Sequence, residues 1–187
     1  MLIKKDAYKI LGVDPGTNIL GYAVLEVDNQ TTKLISFGVI KLKGEEDHQH
    51  KLKEIYLQLQ EIIESFLPKY MAVEAPFYGK NVQSMLKLGR AQGVAIAAGI
   101  TMGLEIQEYS PKKIKQSVTG NGNASKEQVA AMLESILKIK IKSEYVDATD
   151  ALATAYCHFN QLGGLSGGKK KYSGWSAFIK ENPSKLG

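Results

Sequence analysis

Residues 10–26 read ILGVDPGTNILGYAVLE, two apolar runs separated by a Pro-Gly turn. Residues 8–14 form a short apolar run that ends at this turn, which is typical of a buried strand. Asp14 lies where the strand stops, so a carboxylate stands at its carboxyl end. Residues 20–28 and 33–42 have strand character, and NQTTK between them predicts a hairpin loop. The chain is therefore predicted to begin with a three-stranded meander.

The rest of the chain alternates helices and strands. YMAVE (70–74) and LEIQEY (104–109) have strand character, and a right-handed crossover would place YMAVE parallel to the first strand. Helices are predicted from apolar residues at helical spacing, from Ser110-Pro111 as a helix start and from a capping box of Ser125 and Gln128. The predicted helices cover residues 52–66, 80–102, the residues after 110, 126–138 and 147–162. This order predicts an α/β domain, a five-stranded mixed sheet with helices on its faces.

The composition is that of a soluble globular protein. Of 187 residues, 44% are hydrophobic and 23% are charged, which argues against a disordered or fibrous chain. The single cysteine, Cys157, excludes an internal disulfide and suits a reducing cytoplasm. The first ten residues lack the apolar run of a signal peptide. The longest apolar stretch, 91–104, is too short to span a bilayer, so we expect a cytoplasmic protein without a membrane partner.

The charge divides the chain into two parts. The formal net charge is +5, and residues 163–187 contain five lysines and one glutamate. Residues 1–162 are therefore nearly neutral, and total charge alone does not predict a nucleic-acid partner. We expect residues 1–162 to form one domain, and residues 163–187, rich in Gly, Ser and Lys, to form a mobile tail.

Four acids stand where burial would normally exclude charge. Asp14 and Glu74 end two strands that are expected to be parallel neighbours, and open α/β sheets bind ligands at such strand ends. Asp147 and Asp150 lie three residues apart at the start of the last helix, so they share one helix face. Clustered carboxylates repel one another unless a cation lies among them. Oxygen ligands without His or Cys suit Mg²⁺, or Mn²⁺ in its place, and two such ions can activate water for phosphodiester hydrolysis.

Each acid taken alone also has a structural interpretation. Asp14 could cap the Pro-Gly turn, and Asp147 and Asp150 could favour the positive end of a helix dipole. Glu74 closes an apolar strand before APF, where it has no capping role. The combination of the four favours a metal site. His158 is excluded as a further ligand because it lies about 16 Å from Asp147 along a helix.

Four sequence blocks, in order, resemble those of the RuvC-type Holliday junction resolvases. They are ILGVDPGTNILGYAVLE, MAVEAPFYGKNVQSMLKLGRAQGVA, EYSPKKIKQSVTGNGNASKEQV and VDATDALATAYCH, and together they span roughly residues 9–161. The resemblance implies an RNase H-like fold and a Mg²⁺-dependent, homodimeric endonuclease that resolves four-way DNA junctions. It also implies RuvA and RuvB as branch-migration partners.

The resemblance assigns roles by position. The four catalytic acids fall on Asp14, Glu74, Asp147 and Asp150, and the basic residues near the scissile phosphate fall on Lys115 and Lys126.

The base-stacking aromatic of the family falls on Phe77, and Tyr78 beside it is an exposed-loop candidate for the same contact. Lys80, with Lys87 and Arg90, could contact backbone phosphate or could form an ordinary polar helix face, which we favour. Packing against the sheet explains the small residues of helix 80–102, and the resemblance implies that this helix forms the dimer interface.

Two other functions are compatible with parts of the sequence. GVDPGT also resembles the phosphate-binding hairpin of actin-like ATPases and sugar kinases, but such enzymes need two domains of this kind and the chain has room for one. A junction-binding protein without catalysis is the other alternative. Retention of every acid argues against it, since four buried charges cost desolvation energy.

Overall fold

A computed structural model describes residues 7–42, 47–76, 81–141 and 146–163, and for residues 146 and 147 the description is limited to the backbone. Five strands and five helices are present in these ranges. Their bounds in chain order are β1 Tyr8–Asp14, β2 Ile19–Asp28, β3 Thr31–Lys41, α1 His48–Phe66, β4 Tyr70–Glu74, α2 Val82–Thr101, β5 Glu105–Tyr109, α3 Pro111–Thr119, α4 Lys126–Leu137 and α5 Val146–Gln161.

The strands form one mixed sheet in the order β3-β2-β1-β4-β5. The meander β1-β2-β3 is antiparallel, whereas β4 pairs parallel with β1 and with β5. The predicted sheet and the predicted parallel pairing of β1 with β4 are therefore confirmed. The β2–β3 connection is shorter than NQTTK, because the strands continue to Asp28 and from Thr31. Asn29 makes this tight turn with a φ of 58°, a region that Asn tolerates well.

Helices cover both faces of the sheet, as predicted. On one face α5 packs across β1 and β2, with α3 and α4 beside it. On the other face α1 and α2 pack against each other and against the side chains of the alternate strand positions, such as Leu11 and Val13. The two faces follow from the period of two along β1, where Ile10 joins the first core and Leu11 the second.

The two helix caps predicted from the sequence are confirmed. Ser110 caps α3 by accepting a hydrogen bond from the Lys113 backbone N–H, and Pro111 occupies the first turn. Ser125 and Gln128 form the reciprocal capping box of α4. Since α3 starts directly after β5, its N-terminus lies at the carboxyl end of the parallel strands.

Helix α2 has two different small-residue faces. Ala91, Ala95, Ala98 and Gly99 are buried, and a Cβ on Gly99 would lie 2.5 Å from the Met71 Sδ. The expected packing of small residues against the sheet is thus confirmed for this face. Gly89 and Gly93 face outward on α2, where an added Cβ would meet no atom within 4 Å. None of the helices in the described ranges is both long and apolar enough to span a membrane.

Candidate active site

Asp14 and Glu74 lie side by side at one edge of the sheet. The parallel register pairs Val13 with Val73, and each acid is the next residue on its strand. The apolar residues that precede both acids are buried, whereas Asp14 and Glu74, the last residues of their strands, are partly buried at the edge of the core. The expected meeting of these two carboxylates at the carboxyl ends of β1 and β4 follows from this register.

Helix α5 brings Asp150 to the same edge. It crosses β1 at Gly12, where a Cβ would lie 2.1 Å from the Ala151 carbonyl oxygen and 2.8 Å from the Ala155 Cβ. The helix backbone therefore contacts the strand backbone directly, with no side chain between them. Asp150 directly precedes Ala151, so this contact fixes the distance between the helix acid and the end of β1.

One cavity of about 390 Å³ collects these groups. Its lining includes Asp14, Glu74 and Asp150, together with Lys115 from α3 and Lys126 from α4. Apolar residues of α3, α4 and α5 complete its wall. Among the residues that the structure describes, the cavity thus unites three of the four predicted acids with both predicted lysines.

The electrostatics of the cavity centre on Glu74. Burial, followed by the negative charges of Asp14 and Asp150, raises the pKa of Glu74 to about 8, against the opposing effect of Lys126 and Lys115. Without a metal ion, the Glu74 carboxyl is therefore mostly protonated at neutral pH. A divalent ion among the three carboxylates would reverse this preference, because its charge favours the ionised form.

Lys126 pairs directly with one of the acids. Its Nζ donates a hydrogen bond to the Asp150 Oδ2 at 2.5 Å. This bond raises the pKa of Lys126 more than burial lowers it, and the charges of Asp14 and Glu74 act in the same direction as the bond. Lys126 is therefore a cation paired with one member of a group of carboxylates.

The donor chemistry fits a hard divalent cation. The acidic side chains of the cavity offer carboxylate oxygens and no sulfur or imidazole, the set that Mg²⁺ and Mn²⁺ prefer. In the described side chains, no three acidic, histidine or cysteine groups are close enough together to hold an ion as they stand.

The side chains of the four remaining predicted residues lie outside the part of the chain that the structure describes. Asp147 belongs to the first turn of α5, one turn before Asp150, but its side chain is outside the description. Phe77, Tyr78 and Lys80 lie outside the described residues. The predictions for these four therefore stay predictions.

His158 is a core residue, in agreement with its exclusion as a ligand. It is 6% exposed, and its Nδ1 lies 2.8 Å from the Tyr109 hydroxyl. Burial lowers the pKa of His158 below its usual value, so the ring is neutral.

Two features of the site were not predicted from the sequence. The Gly12 contact with α5 had a local sign, a glycine inside an apolar strand, which often marks close backbone approach. The second is Lys51 of α1, whose Nζ donates to the Asn18 Oδ1 at 2.9 Å and so ties α1 to the turn after Asp14. Nothing local to Lys51 indicated this contact, because the two residues are 33 positions apart.

Comparison with known proteins identifies the family. The family model described as crossover junction endodeoxyribonuclease RuvC matches residues 10–158. The chain belongs to the RuvC family. A RuvC of Cytophaga hutchinsonii is 57% identical over 177 residues, covering 95% of this chain and 87% of that protein. A RuvC of Bacteroides fragilis is 52% identical, covering 95% of each chain.

Solved structures of RuvC have the same fold. Thermus thermophilus RuvC in complex with a Holliday junction substrate is 30% identical, with a TM-score of 0.76 over 83% of this chain and 96% of that one. The yeast mitochondrial Holliday junction resolvase Ydc2, 17% identical with a TM-score of 0.61, shares the fold. The expected resemblance to RuvC-type resolvases is therefore confirmed, and with it the RNase H-like α/β architecture.

Proposed function

We propose that this chain is an endonuclease that resolves four-way DNA junctions by paired, symmetric hydrolysis of two phosphodiester bonds, in homologous recombination and DNA repair. Its membership of the RuvC family supports the proposal, as do relatives named crossover junction endodeoxyribonuclease. A RuvC that is 30% identical has been solved with a Holliday junction substrate. The observation that carries the proposal in this chain is the cavity that unites Asp14, Glu74 and Asp150 with two lysines.

Mg²⁺ is the proposed cofactor, with Mn²⁺ as a substitute and two ions in each site. The proposed ligands are Asp14, Glu74, Asp147 and Asp150. Bound metal would supply an activated water and neutralise charge on the leaving oxygen. The protein contributes the positions of these ligands, because β1 pairs with β4 and contacts α5 at Gly12 with no side chain between them.

The lysines of the cavity are proposed to meet the DNA backbone. Lys115 and Lys126 line the cavity from α3 and α4, so a phosphate placed at the carboxylates would lie in a cavity whose wall includes both lysines. Positive charge at that position stabilises the charge that develops on the phosphate during hydrolysis. Phe77 and Tyr78 are proposed to stack on bases near the junction centre, and Lys80 is proposed to contact backbone phosphate.

A homodimer is proposed to form through the outward face of α2. Val82, Leu86 and Ile100 are 67%, 54% and 60% exposed, and they follow one face of the helix. Gly89 and Gly93 lie between them on this face, with open space at their Cβ positions. An apolar stripe with small residues at its centre permits close approach of a second helix, so the proposed occupant is α2 of a second copy. Two-fold symmetry of the dimer would match that of an open junction.

The dimer can be tested with matched surface variants. Leu86→Lys would place a charge in the proposed interface, whereas Met132→Lys changes a side chain that is 39% exposed on α4, on the other face of the sheet. We expect light scattering after gel filtration to give a dimer for wild type and Met132→Lys and a monomer for Leu86→Lys. A dimeric Leu86→Lys protein would contradict this interface.

Three further proposals rest on the family resemblance or on composition. RuvA and RuvB are the proposed branch-migration partners, the cytoplasm is the proposed location, and residues 163–187 are proposed to form a tail separate from a domain of residues 1–162. Co-purification of the three proteins on a junction would test the first of these.

The proposed activity is tested with a synthetic four-way junction. We expect wild type to cut the junction but not a linear duplex of the same sequence, and to need Mg²⁺. Asp150→Asn should abolish cleavage and retain binding, while Glu64→Gln, an exposed acid on α1, should cut normally. Cleavage by Asp150→Asn at the wild-type rate would contradict the site.

A catalytically silent junction-binding protein is the alternative. It predicts tight junction binding with no cleavage in Mg²⁺ or Mn²⁺, and binding that does not change with metal. The same assay separates the two functions.

A further inference from the structure

The two side chains of the Lys126–Asp150 ion pair differ in solvent exposure. The Asp150 side chain is 21% exposed, whereas the Lys126 side chain is 63% exposed. The two residues are 24 positions apart and come from different helices, the first residue of α4 and the second turn of α5. The carboxylate is thus held in the site, while the ammonium reaches it on a flexible stem from the solvent side.

The ammonium competes with any metal for Asp150. A divalent ion and an ammonium bound to the same carboxylate would lie within a few ångströms and repel each other strongly. The ammonium also occupies the Oδ2 atom, which a metal bound through both carboxylate oxygens would need. Asp150 therefore has two alternative cationic partners, one built into the chain.

There is room for Lys126 to move. Lys126 and Asp150 also line a second cavity, of about 320 Å³, between α4, Ile141 and the start of α5. The pair thus stands between this second cavity and the one that contains Asp14 and Glu74. A lysine that leaves Asp150 remains close enough to meet a phosphate at the first cavity.

We propose that Lys126 is a tethered counter-cation that occupies Asp150 in the metal-free protein and is displaced by a divalent ion. The inference rests on the proposed metal-dependent function and adds to it the order in which Asp150 and Lys126 exchange partners. Metal loading frees the Lys126 ammonium, and a DNA phosphate then becomes its partner. DNA and metal binding are therefore coupled, because a phosphate that attracts Lys126 also opens Asp150 to the metal.

The test measures metal affinity without DNA. Isothermal titration calorimetry with MnCl₂ would compare wild type with Lys126→Met, which keeps the length of the stem and loses the charge. Lys115→Met is the matched control, because it removes a positive charge from the same cavity but not from the pair. We expect Lys126→Met to bind Mn²⁺ on the order of tenfold more tightly than wild type, and Lys115→Met only about twofold more tightly.

A double-mutant cycle separates the pair from the general effect of charge. In an Asp150→Asn background, Lys126→Met should change Mn²⁺ affinity no more than Lys115→Met does. Circular dichroism would show that the variants are folded.

Equal Mn²⁺ affinities for Lys126→Met and Lys115→Met would overturn the inference and leave the proposed function intact. Failure of wild type and both lysine variants to bind Mn²⁺ at millimolar concentrations, with or without junction DNA, would overturn the metal-dependent function itself.

Discussion

Substitution of Gly12 by alanine tests how the site is assembled. The added Cβ would lie 2.1 Å from the Ala151 carbonyl oxygen, 2.8 Å from the Ala155 Cβ and 2.9 Å from the Ala155 nitrogen. All three atoms belong to α5, and two are backbone atoms that cannot rotate away. Restoring an ordinary contact distance would move α5 away from β1 by roughly 1 Å.

The magnitude follows from two opposing terms. Forcing an additional carbon into a packed core costs about 1–3 kcal/mol, and a backbone clash belongs at the upper end of that range. Replacing glycine also restricts the unfolded chain, which offsets about 0.4–1 kcal/mol. We expect Gly12→Ala to lower the free energy of unfolding by about 2 kcal/mol, which corresponds to a fall in Tm of about 4–8 °C for a chain of this size.

The same displacement should affect the chemistry. Asp150 moves with α5, whereas Asp14 remains on β1, so the two carboxylates separate. A misplacement of about 1 Å can reduce the rate about 100-fold. We expect junction cleavage to fall by about that factor in Gly12→Ala protein that is still folded at the assay temperature.

Urea unfolding and junction cleavage measure the two effects, with Gly38→Ala as the control. Gly38 is also a strand glycine, but the three atoms nearest to its Cβ would all belong to the Tyr22 side chain, at 3.1–3.2 Å, which a side-chain adjustment can accommodate. A Gly12→Ala protein as stable and as active as Gly38→Ala would refute the reasoning that α5 and β1 fix the carboxylates by direct backbone contact.

Three other substitutions probe single groups. The pKa of Glu74 is raised to about 8 in the folded metal-free protein, so the stability that the protonated carboxyl contributes is lost as pH rises through 8. In urea unfolding with EDTA, the free energy of unfolding of wild type should therefore fall by about 2–3 kcal/mol more between pH 6 and pH 9 than that of Glu74→Gln. Burial lowers the pKa of His158, so the unfolded chain binds the proton first and the free energy of unfolding falls as pH drops below about 6.5. In His158→Gln the free energy of unfolding should fall less steeply below this pH, and a fall as steep as in wild type would contradict the buried neutral ring. Ser125→Ala removes the cap of α4 and should lower stability by about 1 kcal/mol in the same assay, whereas no loss would contradict the capping box.

The sequence was a good guide wherever the signal is local. The strand β1 and its terminal Asp14 were predicted at the observed bounds, as was the strand YMAVE with Glu74 at its end. The capping box at Ser125 also follows from residues three apart. Parallel pairing of β1 with β4 could be anticipated, because the handedness of crossovers leaves few alternatives.

Contacts between distant segments could not be predicted in the same way. The pairing of Lys126 with Asp150 depends on how α4 packs beside α5, and no pattern within either helix specifies it. The same is true of Lys51 and the turn at Asn18. Glycine at position 12 permits close approach of a backbone, but nothing near it in the sequence identifies its partner, α5, which is distant along the chain.

The central claim is that one cavity in each of two subunits cuts a four-way junction in a paired manner. The most direct measurement is cleavage of a supercoiled plasmid that extrudes a cruciform, in Mg²⁺, at enzyme concentrations well below those of the plasmid. We predict linear product without accumulation of nicked circles for wild type, and neither product for Asp150→Asn or in EDTA. Nicked circles as the end product, or cutting that persists in the variant, would contradict the claim.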